Sequence, residues 1–294
     1  MQSPFKRILV YDLETGGFDQ KNQQITEFAG VAIEVETLEI IEEFSVVFRP
    51  QLQLDTVEEE GIKEAKRIYK TLATQDADSN VKSLLYKGSN LTLKSLNDLA
   101  DELEDFNNNF LKINGPIIDY EKLLELEDSD FKDIARLYFD FTYNPQALEV
   151  TDISRELLVK EGLSHKDAYT DVTELIKRHT VGNSRPVIAG HNIKKFDNPF
   201  MDLLFERNKG SFEKSINSFQ IDTLEWARMK WFEMPNFSLG TCANEVGLTL
   251  KEAHRALPDT VANAKFLIKI LGNLRGNGTA EETAYVRKKY SFNF

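Results

Sequence analysis

Apolar and polar positions divide the 294-residue chain into three stretches of different periodicity. The first fifty residues carry strand-like runs. Residues 7–11 are a short apolar segment suited to a buried central strand. Residues 28–35 and 40–48 are β-branched and aromatic runs on either side of a turn at Thr37, Leu38 and Glu39, so a meander is expected. Pro50 stops the third run. From 51 to 143 the period becomes helical: Leu93, Leu96, Leu99, Leu103, Phe106 and Phe110 recur at three- and four-residue steps, as do Leu123, Leu126, Phe131, Ile134, Leu137 and Tyr138. This stretch reads as an inserted helical subdomain. Beyond 144, helices expected at 168–180, 198–208, 223–232, 238–246 and 258–271 alternate with short strands at 187–190 and 219–222, and Gly272 is read as the end of the last helix. Strands alternating with helices imply an α/β fold with parallel pairs.

Composition narrows the class. The chain is 41% hydrophobic and 29% charged, enough apolar material for a sizeable core. One cysteine, Cys242, excludes an internal disulfide and a cysteine-rich zinc site. No apolar run reaches the roughly 18 residues needed to span a bilayer, and residues 1–7 lack the apolar core of a signal peptide. A cytoplasmic protein without membrane contact is expected. The net charge of −12 speaks against broad coating of nucleic acid, which draws on Lys and Arg. That charge is uneven. Residues 51–143 hold 11 basic and 20 acidic residues, a net of −9, against 25 and 28, a net of −3, for the remainder.

Three short segments carry candidate chemistry. Asp12 and Glu14 end the first strand two positions apart, so both carboxylates lie on one face, about 6.6 Å apart along the backbone. Unpaired carboxylates at a strand's carboxyl end repel each other, and a hard divalent cation with oxygen ligands relieves the repulsion; a solvated strand end is the plainer alternative. Thr15, Gly16 and Gly17 follow, able either to present backbone N–H groups to a ligand or simply to turn the chain. In residues 190–197 a strand runs into a polar loop with Asn192, then Phe196 and Asp197 at a helix start; Asp197 alone could be a plain cap. Lys194 and Lys195 in that loop are placed to meet phosphates, an ordinary exposed lysine pair being the plainer alternative. Finally, His254 precedes Pro258 and Asp259, which open the last helix, a pattern open to capping or to a general base beside a metal ligand. His165 and His179 are read as surface residues.

Asp12-Leu13-Glu14-Thr15-Gly16, then Asn192 to Phe196-Asp197, then His254 to Asp259, in that order, resemble the three motifs of the DEDDh 3′–5′ exonuclease family, which includes the proofreading epsilon subunit of bacterial DNA polymerase III and exonuclease I. Residues 25–29, Ile221-Asp222-Thr223-Leu224 and Ser238-Leu239 are also similar. Three residues, rather than two, separate Asn192 from Phe196, which is more similar to exonuclease I and to the exonuclease domains of family B polymerases. The resemblance covers roughly 1–50 and 144–274 and implies a discontinuous exonuclease domain with an RNase H-like mixed sheet flanked by helices. Outside it lie a large acidic helical insertion, 51–143, and a C-terminal tail, 275–294.

The resemblance also implies a site. Asp12, Glu14, Asp197 and Asp259 would hold two divalent ions, Mg²⁺ or Mn²⁺, and His254 would deprotonate the attacking water. Thr15, Gly16, Asn192 and Phe196 would hold the terminal nucleotide. The expected reaction is release of nucleoside 5′-monophosphates from single-stranded DNA 3′ ends, in proofreading or repair. An exoribonuclease of the same mechanism, or a non-catalytic end-binding or scaffold protein, is the alternative. A polymerase or other replication protein could dock on 51–143 or on the tail.

Overall fold

The computed structural model describes residues 4–20, 23–53, 117–119, 142–248 and 255–276. Three strands, β1 (Arg7–Thr15), β2 (Ile25–Glu34) and β3 (Ile40–Val47), form the expected antiparallel meander. Two further strands, β6 (Val187–Gly190) and β7 (Gln220–Asp222), add in parallel on the other side of β1, so the sheet runs β3-β2-β1-β6-β7. Between these two sets, β4 (Gln51–Gln53) and β5 (Ile117–Asp119) make a separate antiparallel pair. The helices expected in 51–143 lie outside the described residues.

Period-two alternation gives the sheet two apolar faces. Leu9, Tyr11, Leu13 and Phe28 point to one side, where they pack with Val172 and Leu175 of α3 (His165–Arg178) and with Met201, Leu204 and Phe205 of α4 (Asp197–Arg207). Ile8, Val10, Val31 and Ile33 point to the other, joined by Val187, Ala189 and Ile221 and covered by Ala264 and Leu267 of α8 (Ala256–Leu274). By that alternation Asp12 and Glu14 belong to the α8 side. The β1–β2 register is broken by an irregularity directly after Glu14, where the strand pair ends and the chain turns away.

Helices α6 (Thr223–Lys230) and α7 (Leu239–Glu245) follow the sequence pattern closely, and with α8 they bury Cys242 beside Trp231, Phe266 and Ile270. Three short helices, α1 (Pro145–Val150), α2 (Arg155–Glu161) and α5 (Phe212–Ser215), were not legible, because one or two turns show too few apolar repeats to define a face. Gly272 does not end the last helix. The helix continues to Leu274 and closes on Gly276, whose φ of +77° is the left-handed conformation that glycine adopts without a Cβ penalty. His165 and His179 are not surface residues either. His165 packs edge-on against Phe48, and burial pushes its pKa down to about 3; His179 meets Glu42 of β3 at 2.8 Å. Each faces inward on or just past α3, whose apolar stripe includes them. Among the described residues no helix is long and apolar enough to cross a membrane.

Leu267, fully buried between α8 and the sheet, tests how far that helix depends on packing. Leu267→Ala should lower the unfolding free energy by about 2–5 kcal/mol, read as a lower urea midpoint at unchanged m value, while Leu267→Met should cost less than about 1.5 kcal/mol.

Candidate active site

The sheet and α8 bring three of the four candidate carboxylates together. Asp12 and Glu14 stand on β1, Asp259 in the first turn of α8, and one oxygen from each lies within 4.8 Å of the others. Asp197, the first residue of α4, approaches from the opposite layer. It is buried, and its Oδ1 accepts the Leu13 N–H at 3.1 Å, which ties it to the strand between the two acids of β1. A second tie holds the same helix start: the Tyr11 hydroxyl donates to Asn198 Oδ1, and Asn198 donates to Gln220 of β7 at 2.8 Å. His254 lies outside the described residues.

So much negative charge in partly dry surroundings raises the cost of ionisation. Burial, then Asp259 and Glu27, push the Asp12 carboxyl up to about 8; burial, Asp12 and Asp259 push Glu14 to about 8, against the pull of the Arg255 guanidinium. Burial and the Asp12 charge raise Asp197 as well. An all-oxygen set of crowded carboxylates matches the donors that hard divalent cations take, and a cation there would remove the repulsion. The residues present therefore fit a metal centre, with Asp12, Glu14 and Asp259 as its compact group and Asp197 beside Asp12.

The residues expected to hold substrate are placed unequally. Gly16 sits where the chain crosses residues 142–144: its N–H donates to the Gln24 carbonyl, its carbonyl accepts from Asn144, and an added Cβ would stand 2.2 Å from the Thr142 carbonyl oxygen. Glycine is thus required for a close chain crossing, and its N–H is already used within the protein. The Thr15 hydroxyl likewise donates to the Gly17 carbonyl. Asn192 has a φ of +71°, uncommon outside glycine, and its loop is held from beneath by Asp222, whose carboxylate accepts the N–H groups of Asn192, Lys194 and Leu224. Lys194 is engaged with Glu225 at 2.6 Å. Phe196 has an aromatic neighbour that sequence reasoning passed over: Phe18, 87% exposed, meets it edge-on with ring centroids 5.9 Å apart. Its signal was a large aromatic directly after Gly16-Gly17. Glu27 and Arg255 were also missed, although a lone acid in the apolar run of β2 marks the first.

A sequence profile of the exonuclease family described as RNase_T matches residues 9–92 and 117–267. The chain belongs to that family. Similar curated proteins are the PolC-type DNA polymerase III of Bacillus cereus, 32% identical over 131 residues, and that of Bacillus subtilis, 31% over 133. Each match spans 45% of this chain and 8% of the polymerase, so the chain corresponds to a small part of those proteins. The fold of this RNase_T domain, RNase H-like with a mixed five-stranded sheet, is similar to that of E. coli exonuclease I solved with single-stranded DNA. The TM-score is 0.54 at 15% identity, over 96% of this chain and 42% of that one. It is also similar to a 3′-exonuclease solved for its recognition of the histone mRNA stem-loop 3′ end, with a TM-score of 0.50 at 12% identity over 92% and 83% of the two chains. The family is one of DEDD-type exonucleases with an RNase H-like fold.

The raised carboxyls make stability of the RNase_T domain depend on pH. In the unfolded chain Asp12 and Glu14 lose their protons near 3.8 and 4.5; folded and metal-free, they keep them to about 8. The folded state therefore binds more protons between those limits, and stability falls as pH rises through that window. Thermal unfolding in EDTA should show a midpoint that drops from pH 5 to pH 8, a flatter profile for Asp12→Asn, and a Mg²⁺-induced rise that is larger at pH 8 than at pH 5. A flat profile for the wild type would remove the electrostatic account of the site.

Proposed function

We propose that this chain is a divalent-metal-dependent 3′–5′ exonuclease that removes nucleoside 5′-monophosphates from single-stranded DNA ends, in proofreading or repair. The convergence of Asp12, Glu14 and Asp259 within 4.8 Å, with Asp197 tied in behind them, carries the reading. Membership of the exonuclease family and the matches to PolC-type polymerases and to exonuclease I support it.

Asp12, Glu14, Asp197 and Asp259 would hold two ions, Mg²⁺ or Mn²⁺. Asp12, with Asp259 on one side and Asp197 on the other, would serve both ions, while Glu14 and Asp259 would help to hold one and Asp197 the other. When bound, such a pair supplies a water-derived nucleophile at neutral pH and stabilises the charge on the leaving 3′ oxygen. The acids offer an incoming phosphodiester no counter-charge of their own, so substrate binding would depend on the cations they hold. His254, five residues before Asp259, accepts the proton of the attacking water. Phe18 and Phe196 offer a two-ring surface on which the terminal bases stack, a contact that tolerates any base. Thr15, Gly16 and Asn192 shape the walls of that position, Gly16 through its crossing with residues 142–144 and Asn192 through the loop that Asp222 holds. Residues 51–143 and 275–294 are the candidate contacts for a polymerase or other replication protein. The histone mRNA 3′-exonuclease among the similar folds favours a second reading, an RNA-directed enzyme of the same mechanism.

A time course on 3′- and 5′-labelled single-stranded DNA and RNA of matched sequence decides between them. Stepwise loss from the 3′ end with Mg²⁺ or Mn²⁺, none with EDTA, and a drop of at least about 100-fold for Asp12→Asn are expected, with DNA the faster polymer. Faster loss of RNA would favour the second reading, and no metal-dependent digestion of either polymer would end the proposal. Phe18→Ala should raise KM for the DNA by an amount equivalent to about 1–3 kcal/mol and leave metal affinity unchanged, measured by steady-state kinetics and Mn²⁺ titration.

A further inference from the structure

Helix α8 delivers Asp259 to the acidic group, yet its first turn lacks the usual side-chain cap: the N-cap position is Arg255, in extended conformation, and makes no side-chain bond to its own helix. The missing acceptor comes from across the sheet. Glu27, buried on β2, accepts the Ala256 N–H at 3.4 Å and takes the Arg255 guanidinium in two bonds, Nε to Oε2 at 3.0 Å and a terminal nitrogen to Oε1 at 3.1 Å. In the β1–β2 register Glu27 stands directly opposite Glu14. Two like charges so placed are unfavourable, so a second acid at this point calls for a function. Glu27 is not a further member of the metal-binding group. Both its oxygens are occupied by Arg255, and among the described residues the acids that share one ion-sized space are Asp12, Glu14 and Asp259.

The connection to Asp259 is short. Its backbone N–H donates to the Arg255 carbonyl at 3.2 Å, so the residue gripped by Glu27 is also the residue that closes the turn bearing the acid. One helical turn is about 5.4 Å, which leaves little slack between clamp and ligand. An anion at a helix N-terminus and a bidentate guanidinium–carboxylate pair are each favourable. Here both act at a single point on β2.

We propose that Glu27 and Arg255 are positioning residues for the metal centre: the Glu27 carboxylate, by holding Arg255 and the first amide of α8, sets the register of that helix so that Asp259 meets Asp12 and Glu14. This rests on the reading of the four acids as metal ligands. Charge and position predict opposite results for one substitution. If Arg255 acted only through its charge, Arg255→Gln would remove a cation near the acids and tighten Mn²⁺ binding. If it holds the helix, the same change loosens Asp259 and weakens binding.

The experiment is Mn²⁺ titration of the full chain, by calorimetry and by electron paramagnetic resonance of free Mn²⁺, for the wild type, Glu27→Gln, Arg255→Gln, Arg255→Lys and the Glu27→Gln/Arg255→Gln double variant. Weaker binding by about 10–100-fold is expected for Glu27→Gln and Arg255→Gln, with the double variant no weaker than the worse single one. Arg255→Lys, which keeps the charge and loses the planar fork, should also bind more weakly, and it stands in should Arg255→Gln not fold. Kinetics on labelled DNA at saturating Mn²⁺ should show kcat falling while KM holds. Wild-type or tighter Mn²⁺ affinity in Arg255→Gln or Arg255→Lys overturns the proposal, as does a raised KM at unchanged Mn²⁺ affinity, which would make Arg255 a substrate contact. If the wild type degrades DNA with metal and only the variants fail to respond as stated, this inference alone falls. No Mn²⁺ binding by the wild type overturns it together with the function on which it rests.

Discussion

Mutual repulsion among three carboxylates held within 4.8 Å is the constraint around which the domain is organised. Nothing in the local chain favours such crowding, and burial first, then the neighbouring acids, push Asp12 and Glu14 up to about 8. The groups stay together because rigid elements carry them. Asp12 and Glu14 ride on the central strand, paired on both sides, and Asp259 rides on a 19-residue helix whose apolar stripe is buried on that strand's own face. Hydrophobic packing several residues away thus sustains an electrostatic strain at the site, and a bound divalent ion would turn that strain into affinity.

The topology explains why the remaining parts arrive at the same edge. β1, β6 and β7 are parallel, so the segments leaving their carboxyl ends emerge side by side. The first brings Phe18, the second brings Asn192, Phe196 and Asp197, and the third contributes Asp222, which caps α6 and at the same time braces the Asn192 loop. His191 is absorbed into this framework, its ring placed between the Thr223 hydroxyl and the Phe237 carbonyl. The Asn192 loop is tied down by a buried carboxylate beneath it.

Kinship and fold similarity answer different questions here. Family membership follows from a sequence match over most of the chain, interrupted only at 93–116. The likeness to exonuclease I, at 15% identity, describes backbone architecture. The PolC-type polymerases show that a related segment can form a small part of a much larger protein, since the match occupies 8% of their length.

Much of the site was legible in the sequence because it depends on short-range geometry. Two acids at i and i+2 at the end of an apolar run must share a face, and an acid just inside a helix start must sit near that helix's end; Asp12, Glu14, Asp197 and Asp259 follow from those rules together with the order of the three motifs. The meander and the later strand–helix alternation followed from periodicity in the same way. What the linear pattern could not show are partnerships across the sheet. The Glu27–Arg255 clamp joins residues 228 positions apart, Phe18 meets Phe196 only when two loops converge, and Gly16 is needed because a distant segment crosses it. His165 and His179 were misjudged for the same reason, since polarity predicts exposure and only the packing of α3 against β3 and Phe48 decides it. By itself the sequence determined which side chains lie on which face of which element, since that depends on dihedral periodicity alone. Only the tertiary structure decided which faces meet, since that depends on how the whole sheet and its helices exclude water together.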